Sequence, residues 1–371
     1  MFFVIDMEER VRADHPLRPI KAAVEAILAE LGPLFDQAYS KTGRPGVQPE
    51  VLLKALLLQC LYTIRSDRQL IERLDTDLLF RWFCGLDPAE EVFDTTAFTH
   101  NRPRLDEHGI TTAFFDAVTR RAIDAGLASD EHFSVDGILI ESYASIKSFT
   151  PDSTDDPGKS NGFKPRNAEV NFRGTRRSNA THRSATDPEA RLYRKARGQE
   201  ARLSHLAHAI SENRNGLVMA VSVSEANGRA ECTAAVEMVD ALRQRSIEVG
   251  TLGADRGYDS GPLMIALEER GVTPHVAMRS GRVGGASGAG RRPKKDRPLI
   301  AARERMRDRM NSTAYTASRR SRKKVEEVFG WMKTIAGLGR SRHVGRWKLK
   351  QQVELAAACY NLVRLRNLIF C

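Results

Sequence analysis

The order of apolar and polar residues divides the chain into stretches of different period. From Pro16 to about Leu105 the apolar residues recur at helical spacing, as in Val51, Leu52, Ala55, Leu56 and Leu58, then Leu70, Leu74, Leu78 and Leu79. This predicts an all-helical N-terminal domain over 1–125, serving DNA binding or dimerisation. Pro49 fits the first turn of one helix, and Asp94, Thr95 and Thr96 offer caps for another. At Glu131 the pattern changes. His132–Glu141 is short, apolar and β-branched, which predicts a strand with Asp136 inside it. Strand signals return at Leu203–Ile210 and Leu217–Val223, and the turn residues Asn213–Gly216 between them predict a hairpin. A helix over 231–244, a strand over Val249–Asp255, a helix after Asp259 and a strand over Val272–Ala277 follow, and the pattern is helical from about Pro298 to Phe370. Alternating strands and helices read as α/β, in a second domain over 126–371. Residues 145–200 are poor in large apolar side chains and rich in Ser, Thr, Asn, Asp, Pro and Arg, so that stretch is expected to be a flexible insertion.

Composition narrows the function classes. A chain of 371 residues buries a real core without covalent staples. Its five cysteines lie far apart with no CxxC pair, and read as reduced thiols in a cytosolic chain. Acids follow the apolar run Met1–Ile5 at once, so it does not read as a secretory signal. Val51–Ile64 is interrupted by Lys54 and Gln59 and falls short of the roughly twenty residues that a membrane span needs. No membrane partner is expected.

Net charge is +11, and it is unevenly placed: Arg279 to Lys350 holds 22 lysines and arginines against 5 acids, so the remainder of the chain is net acidic. Such a segment is either a solvated surface or a phosphate-binding one, and its arginine content favours phosphate. Arg291, Arg292, Lys294 and Lys295, in a glycine-rich loop, are candidate DNA contacts.

Candidate chemistry rests on carboxylates. Transfer of a phosphodiester by two divalent ions requires hard oxygen ligands, which a few carboxylates supply. Asp136 lies within an apolar strand and Asp255 ends another, positions where a charge is costly unless it meets a cation or water. Each alone has an ordinary explanation as an exposed strand residue or a cap. Asp259, ahead of Ser260, Gly261 and Pro262, is the better capping candidate. The C-terminal helix is more specific. With Val325 at zero on a helical wheel, Phe329, Met332 and Ala336 lie within about 40° and form a buried stripe. Arg322, Glu326 and Lys333 fall at roughly 60–100°, bordering the core, while Glu327 falls near 200°, on the solvent side. The wheel therefore prefers Glu326 over Glu327 as a ligand and puts two cations beside it. An ordinary Arg–Glu pair at i,i+4 explains the same spacing. Trp331, about 120° from the stripe on the other side, reads as a surface or interface aromatic, and His132, His205 and His208 as satisfied strand residues rather than metal ligands.

Together these motifs resemble the DDE transposases of bacterial insertion sequences, in the superfamily called IS-four and IS-five. Gly43–Pro45 through Leu53 to Leu86, and Phe93–Thr96 with Phe98 and Arg102, are similar to the family's helical N-terminal region. Val135–Gly137 resembles the strand of its first Asp, Ala254–Asp259 its second Asp motif, and Arg322-x3-Glu326-x6-Lys333 the signature of its last acid. The family's tyrosine, three positions before the arginine, is replaced by Arg319, and the nearest tyrosine is Tyr315. The resemblance implies an RNase H-like mixed-sheet core with Asp136, Asp255 and Glu326 as catalytic and metal-binding residues for two Mg2+ or Mn2+ ions. It further implies Arg322 and Lys333 on DNA phosphates, double-stranded terminal repeats and target DNA as partners, and a homodimer assembled on DNA. The other readings are a metal-dependent nuclease or resolvase on the same core and a catalytically silent DNA-binding repressor.

Overall fold

The computed structural model describes residues 6–39, 46–152, 169–172, 174–194, 198–278 and 297–370. These residues form two units. The first comprises the described residues up to Leu127 together with Gly330–Arg342 and the chain from Trp347 onward, and the second comprises Ala128–Phe329 and His343–Arg346.

The first unit is built from helices α1 (Met7–Arg10), α2 (Leu17–Glu30), α3 (Gly32–Ala38), α4 (Pro49–Leu61), α5 (Asp67–Thr76), α6 (Leu78–Cys84), α7 (Thr96–Glu107) and α8 (Ile110–Asp124). Pro49 takes the first turn of α4, where its missing N–H has no helical partner to lose. Every residue of α4 from Val51 to Cys60 is buried, as befits a helix without a polar face. Ser66 caps α5 through the Gln69 amide, Asp77 caps α6 through that of Leu79, and Gly85 ends α6 in the left-handed conformation.

The second unit is a mixed sheet with helices on both faces. Its strands are β1 (His132–Glu141), β2 (Phe149–Pro151), β3 (Glu169–Phe172), β4 (Thr175–Ser178), β5 (His182–Ser184), β6 (Arg191–Tyr193), β7 (Arg202–Glu212), β8 (Val218–Glu225), β9 (Thr251–Ala254) and β10 (Thr273–Val276). The main sheet runs β10-β9-β1-β7-β6, with β8 also paired to β7. β1 is parallel to β9 and antiparallel to β7, and β9 is parallel to β10. Helix α9 (Ala230–Gln244) leads from β8 to β9, and α10 (Gly261–Glu269) from β9 to β10. Helices α11 (Arg297–Arg309), α12 (Thr313–Ser321) and α13 (Lys323–Thr334) follow, α13 being grouped with the first unit from Gly330 onward. This is the RNase H-like, mixed-sheet architecture that the motifs implied.

The stretch expected to be a flexible insertion is a correction for its described part. β2 pairs with β5, β3 with β4, and β6 joins the main sheet along β7. Ala144, Phe149, Ala190, Leu192 and Leu203 form a buried cluster there. Below it the buried Asp187 carboxylate accepts from Ser142 Oγ at 2.7 Å and pairs with His205 Nε2 at 2.9 Å. Alone the segment has too little apolar surface to order, but β6 gains a ladder along β7, and Leu203 of β7 joins the apolar cluster.

The last helix, α14 (Arg346–Phe370), also departs from expectation. The sequence reading assigned all of 126–371 to one domain, yet from Trp347 onward α14 belongs to the first unit, where the buried Glu354 carboxylate accepts from Thr111 and Thr112 at 2.7 Å each. No helix among the described residues is long and apolar enough to cross a membrane.

Candidate active site

Strand register places the first two carboxylates. His132, Phe133 and Ser134 of β1 lie opposite Thr251, Leu252 and Gly253 of β9. The ladder ends at Ser134–Gly253, and Asp136 and Asp255 each follow two residues later on these neighbouring segments of chain. Alternation along β1 puts Ser134 and Asp136 on one face and Gly137 on the other. Asp255 sits just past the end of β9, where its side chain accepts the Gly257 amide at 2.6 Å and caps the short 3-10 turn Arg256–Tyr258.

Helix α12 packs against the Asp136 face. A Cβ at Gly253 would stand 2.8 Å from Ser318 Oγ and 3.3 Å from Ser134 Oγ, so only glycine lets α12 approach the sheet this closely. That approach aims the junction of α12 and α13 at the strand ends. There Arg322 donates to Glu326 Oε1 at 2.5 Å and stands 3.5 Å from Asp136 Oδ2. One guanidinium thus faces carboxylates from a strand and from a helix. On α13, Val325, Val328, Phe329 and Met332 are all buried, as is Ala336 just beyond its end, and this stripe fixes the helix rotation. The wheel set Glu326 at the border of the core, yet its side chain is 52% exposed, because it faces an open cleft rather than neighbouring helix.

The cleft is about 460 Å3 in volume and is lined by Asp255, Glu326, His275, Arg256, Arg319, Arg322 and Lys323 among others. Four cations therefore surround two of the carboxylates, with Asp136 joined to them through Arg322. Arg319 lines this cleft, while Tyr315, one turn earlier, is buried edge-on against His275 at 5.9 Å between ring centres. Lys333 lies seven residues beyond Glu326 on α13, about 10 Å along the axis, exposed and in the stretch grouped with the first unit. Trp331 is half-buried there and meets Tyr360 edge-on at 5.7 Å. Arg291, Arg292, Lys294 and Lys295 lie outside the described residues.

Two family models match the chain: one described as Transposase domain (DUF772), over residues 5–104, and one described as Transposase DDE domain, over residues 152–362. The second spans more than half of the chain. The chain belongs to the transposase DDE domain family. The matched stretch contains Asp255 and Glu326 and begins beyond Asp136. A chain of this family is a DNA-cleaving and strand-transferring enzyme, and the family uses divalent metal ions. Among solved structures, a Mos1 transposase paired-end complex with left transposon end matches at 11% identity and a TM-score of 0.20, over 86% of this chain and 88% of that one. So loose a superposition transfers no feature. No curated protein sequence matches the chain.

Several groups of the transposase have surroundings that the sequence does not reveal. Asp259, expected to cap α10, instead pairs with Arg303 at 2.9 Å with its side chain only 1% exposed, and Ser260 takes the N-cap position. The partner is 44 residues away, which no local pattern reveals. Tyr258 is fully buried behind the strand ends; burial, then the charges of Glu231, Asp136 and Asp255, push its hydroxyl well above the ordinary tyrosine range. Burial pushes His208 down to about 4, so it is neutral, with Nε2 bonded to Ser224 Oγ at 2.7 Å and Nδ1 without a partner. His275 is also pushed down to about 4, by burial and then by His132 and Arg309. Glu231, in the first turn of α9, reads in the sequence as an ordinary helix-start acid.

Proposed function

We propose that Asp136, Asp255 and Glu326 hold two Mg2+ or Mn2+ ions with which this transposase cuts the ends of its insertion sequence and joins them to target DNA. The observation that supports the reading is Arg322, which bonds Glu326 and stands 3.5 Å from Asp136, while Asp136 and Asp255 each follow two residues after the last paired position of the neighbouring strands β1 and β9. The donor set suits such ions: all three are carboxylates, the hard ligands that Mg2+ and Mn2+ select, borne on three separate elements. Among the described residues, no three Asp, Glu, His or Cys side chains are gathered closely enough to hold an ion as they stand. The Arg322 guanidinium lies between two of the carboxylates, so loading requires it to swing toward an incoming phosphate, for which it is well suited.

Bound divalent ions would activate the attacking oxygen and stabilise the leaving one. The protein's own part is positioning and charge. Arg319, Arg322 and Lys323 would receive the phosphates beside the cut, with Arg256 on the opposite wall. Lys333, Arg291, Arg292, Lys294 and Lys295 would be further contacts to DNA phosphates. The substrates would be double-stranded terminal repeats and target DNA, bound by a homodimer in the nucleoid.

The deciding experiment incubates the protein with its own element ends and Mg2+ and maps cut and joined products. Cleavage with joining supports the reading; cleavage alone indicates a nuclease, and binding without cleavage a repressor. A Glu326→Gln protein that still cleaved would refute the assignment of the last acid.

A further inference from the structure

We propose that Glu231 is a fourth carboxylate of the metal site, reaching the ions from the α9 face of the sheet. The inference rests on the reading that Asp136 and Asp255 hold metal, and its first observation is a pair of glycines. A Cβ on Gly137, the residue after Asp136, would stand 3.3 Å from Glu231 Oε1 and 3.1 Å from His208 Nδ1. A Cβ on Gly257 would stand 3.1 Å from Glu231 Oε2 and 2.9 Å from Asp255 Oδ1. The Glu231 carboxylate therefore fills the space between the strand that carries Asp136 and the turn that Asp255 caps, one oxygen toward each. Both Asp255 Oδ1 and Glu231 Oε2 lie about 3 Å from one point, so the two oxygens are within about 6 Å of each other. Oxygens sharing one Mg2+ at about 2.1 Å lie roughly 3–4 Å apart, a gap that a small side-chain rotation closes.

Two buried polar atoms give the second observation. His208 Nδ1 and Tyr258 Oη belong to fully buried side chains, and neither has a hydrogen-bond partner. His208 Nδ1 faces the same point over Gly137 as Glu231 Oε1, and the Tyr258 hydroxyl feels the charges of Glu231, Asp136 and Asp255 together. Buried polar atoms of this kind normally have a partner, and a metal-bound water between the carboxylates would provide one. The ordinary role of a first-turn acid, capping its own helix, does not account for this placement: the N-cap of α9 is Arg229, with no side-chain cap, and Glu231 extends across the sheet end instead. A side chain at Gly137 or Gly257 would press on that carboxylate, which would have to give by a few tenths of an ångström.

The test measures Mn2+ binding to the full-length, DNA-free protein from the spin-resonance signal of the unbound ion. Glu231→Gln and Asp255→Asn should each raise the Kd for Mn2+ roughly tenfold to a hundredfold, with Glu231→Asp between wild type and Glu231→Gln. If Asp255→Asn loses the ion while Glu231→Gln binds like wild type, Glu231 is no ligand and the three-acid site stands. If Asp136→Asn and Asp255→Asn both bind like wild type, the metal site itself is misplaced and this inference goes with it. A readout independent of variant folding uses the unaltered protein loaded with Fe2+, ascorbate and peroxide, in which radicals cut the backbone nearest the ion. Fragments ending near Glu231, as well as near Asp136 and Asp255, are expected, and cuts confined to the latter two would overturn the proposal.

Discussion

Two carboxylates at strand ends of the same sheet differ in how the chain treats them. Glu212, at the end of β7, is fully buried and accepts the amides of Arg214, Asn215 and Leu217 at 2.7–3.0 Å, which closes the β7–β8 turn. Asp255, at the end of β9, is half-exposed, accepts the Gly257 amide, and shares its cleft with Glu326 and four cations. The first is saturated by its own neighbours and so contributes to stability. The second keeps lone pairs directed at a cleft whose arginines can take phosphate. Local satisfaction, rather than acidity or position in a strand, separates an acid consumed by the fold from one left as a candidate ligand.

The strongest attack on this contrast removes the charge on each side of it. Asp255→Asn, Asp136→Asn or Glu326→Gln is expected to lower metal-dependent cleavage roughly a thousandfold or more, a loss of several kcal/mol of transition-state stabilisation, while DNA affinity changes little. Their unfolding midpoints should match wild type. Glu212→Ala should do the reverse. It leaves three turn amides without their acceptor, at a cost of about 3 kcal/mol or more in denaturant unfolding, and the protein that remains folded should bind Mn2+ normally. Normal stability in Glu212→Ala would show that the saturated acid is dispensable and dissolve the comparison.

The same contrast marks what could be read from the sequence. β1 begins at His132 and ends at Glu141, as its apolar run predicts, and the hairpin, α9, α10 and the buried stripe of α13 also follow their local patterns. These elements are long or strongly periodic, so local sequence decides them. β2 to β6 are three or four residues each, too short to show a period, and they form by pairing: β2 with β5 about thirty residues on, β3 with β4, and β6 with β7. Site residues divide in the same way. Arg322 and Glu326 were legible as candidates through a motif of fixed spacing, and Asp136 and Asp255 as candidates through their place in apolar strands. Asp259 and Glu231 were not, since the one depends on Arg303 and the other on two glycines in separate segments.

A smaller effect tests the histidine beneath the cleft. His208 sits at about 4 in the folded protein against 6.5 as its ordinary value, so between those limits the unfolded chain binds the extra proton. Stability is then fully present above about pH 6.5 and is lost as the pH falls toward 4. In metal-free buffer, denaturant unfolding at pH 5 should come out as much as about 2 kcal/mol weaker than at pH 7 on account of this group. His208→Gln should remove that share of the slope. An unchanged slope would mean that His208 is solvated enough to titrate normally, and the strand ends would not be as dry as their burial implies.

The smallest effect concerns the cations rather than the acids. Arg319 stands where the family's tyrosine is expected, and it lines the cleft while Tyr315 is buried beneath it. If Arg319 contacts a phosphate, each such contact releases about one counterion, so Arg319→Ala should lower the slope of log affinity against log salt by about one. Affinity for element ends and for unrelated duplex should fall by the same several-fold factor, because a phosphate contact carries no sequence information. Glu327→Gln serves as the control: its carboxylate is exposed on the far side of α13, and the slope there should stay constant. Equal slopes for Arg319→Ala and wild type would move the DNA track away from Arg319, leaving Arg322 and Lys323 to account for the positive side of the cleft.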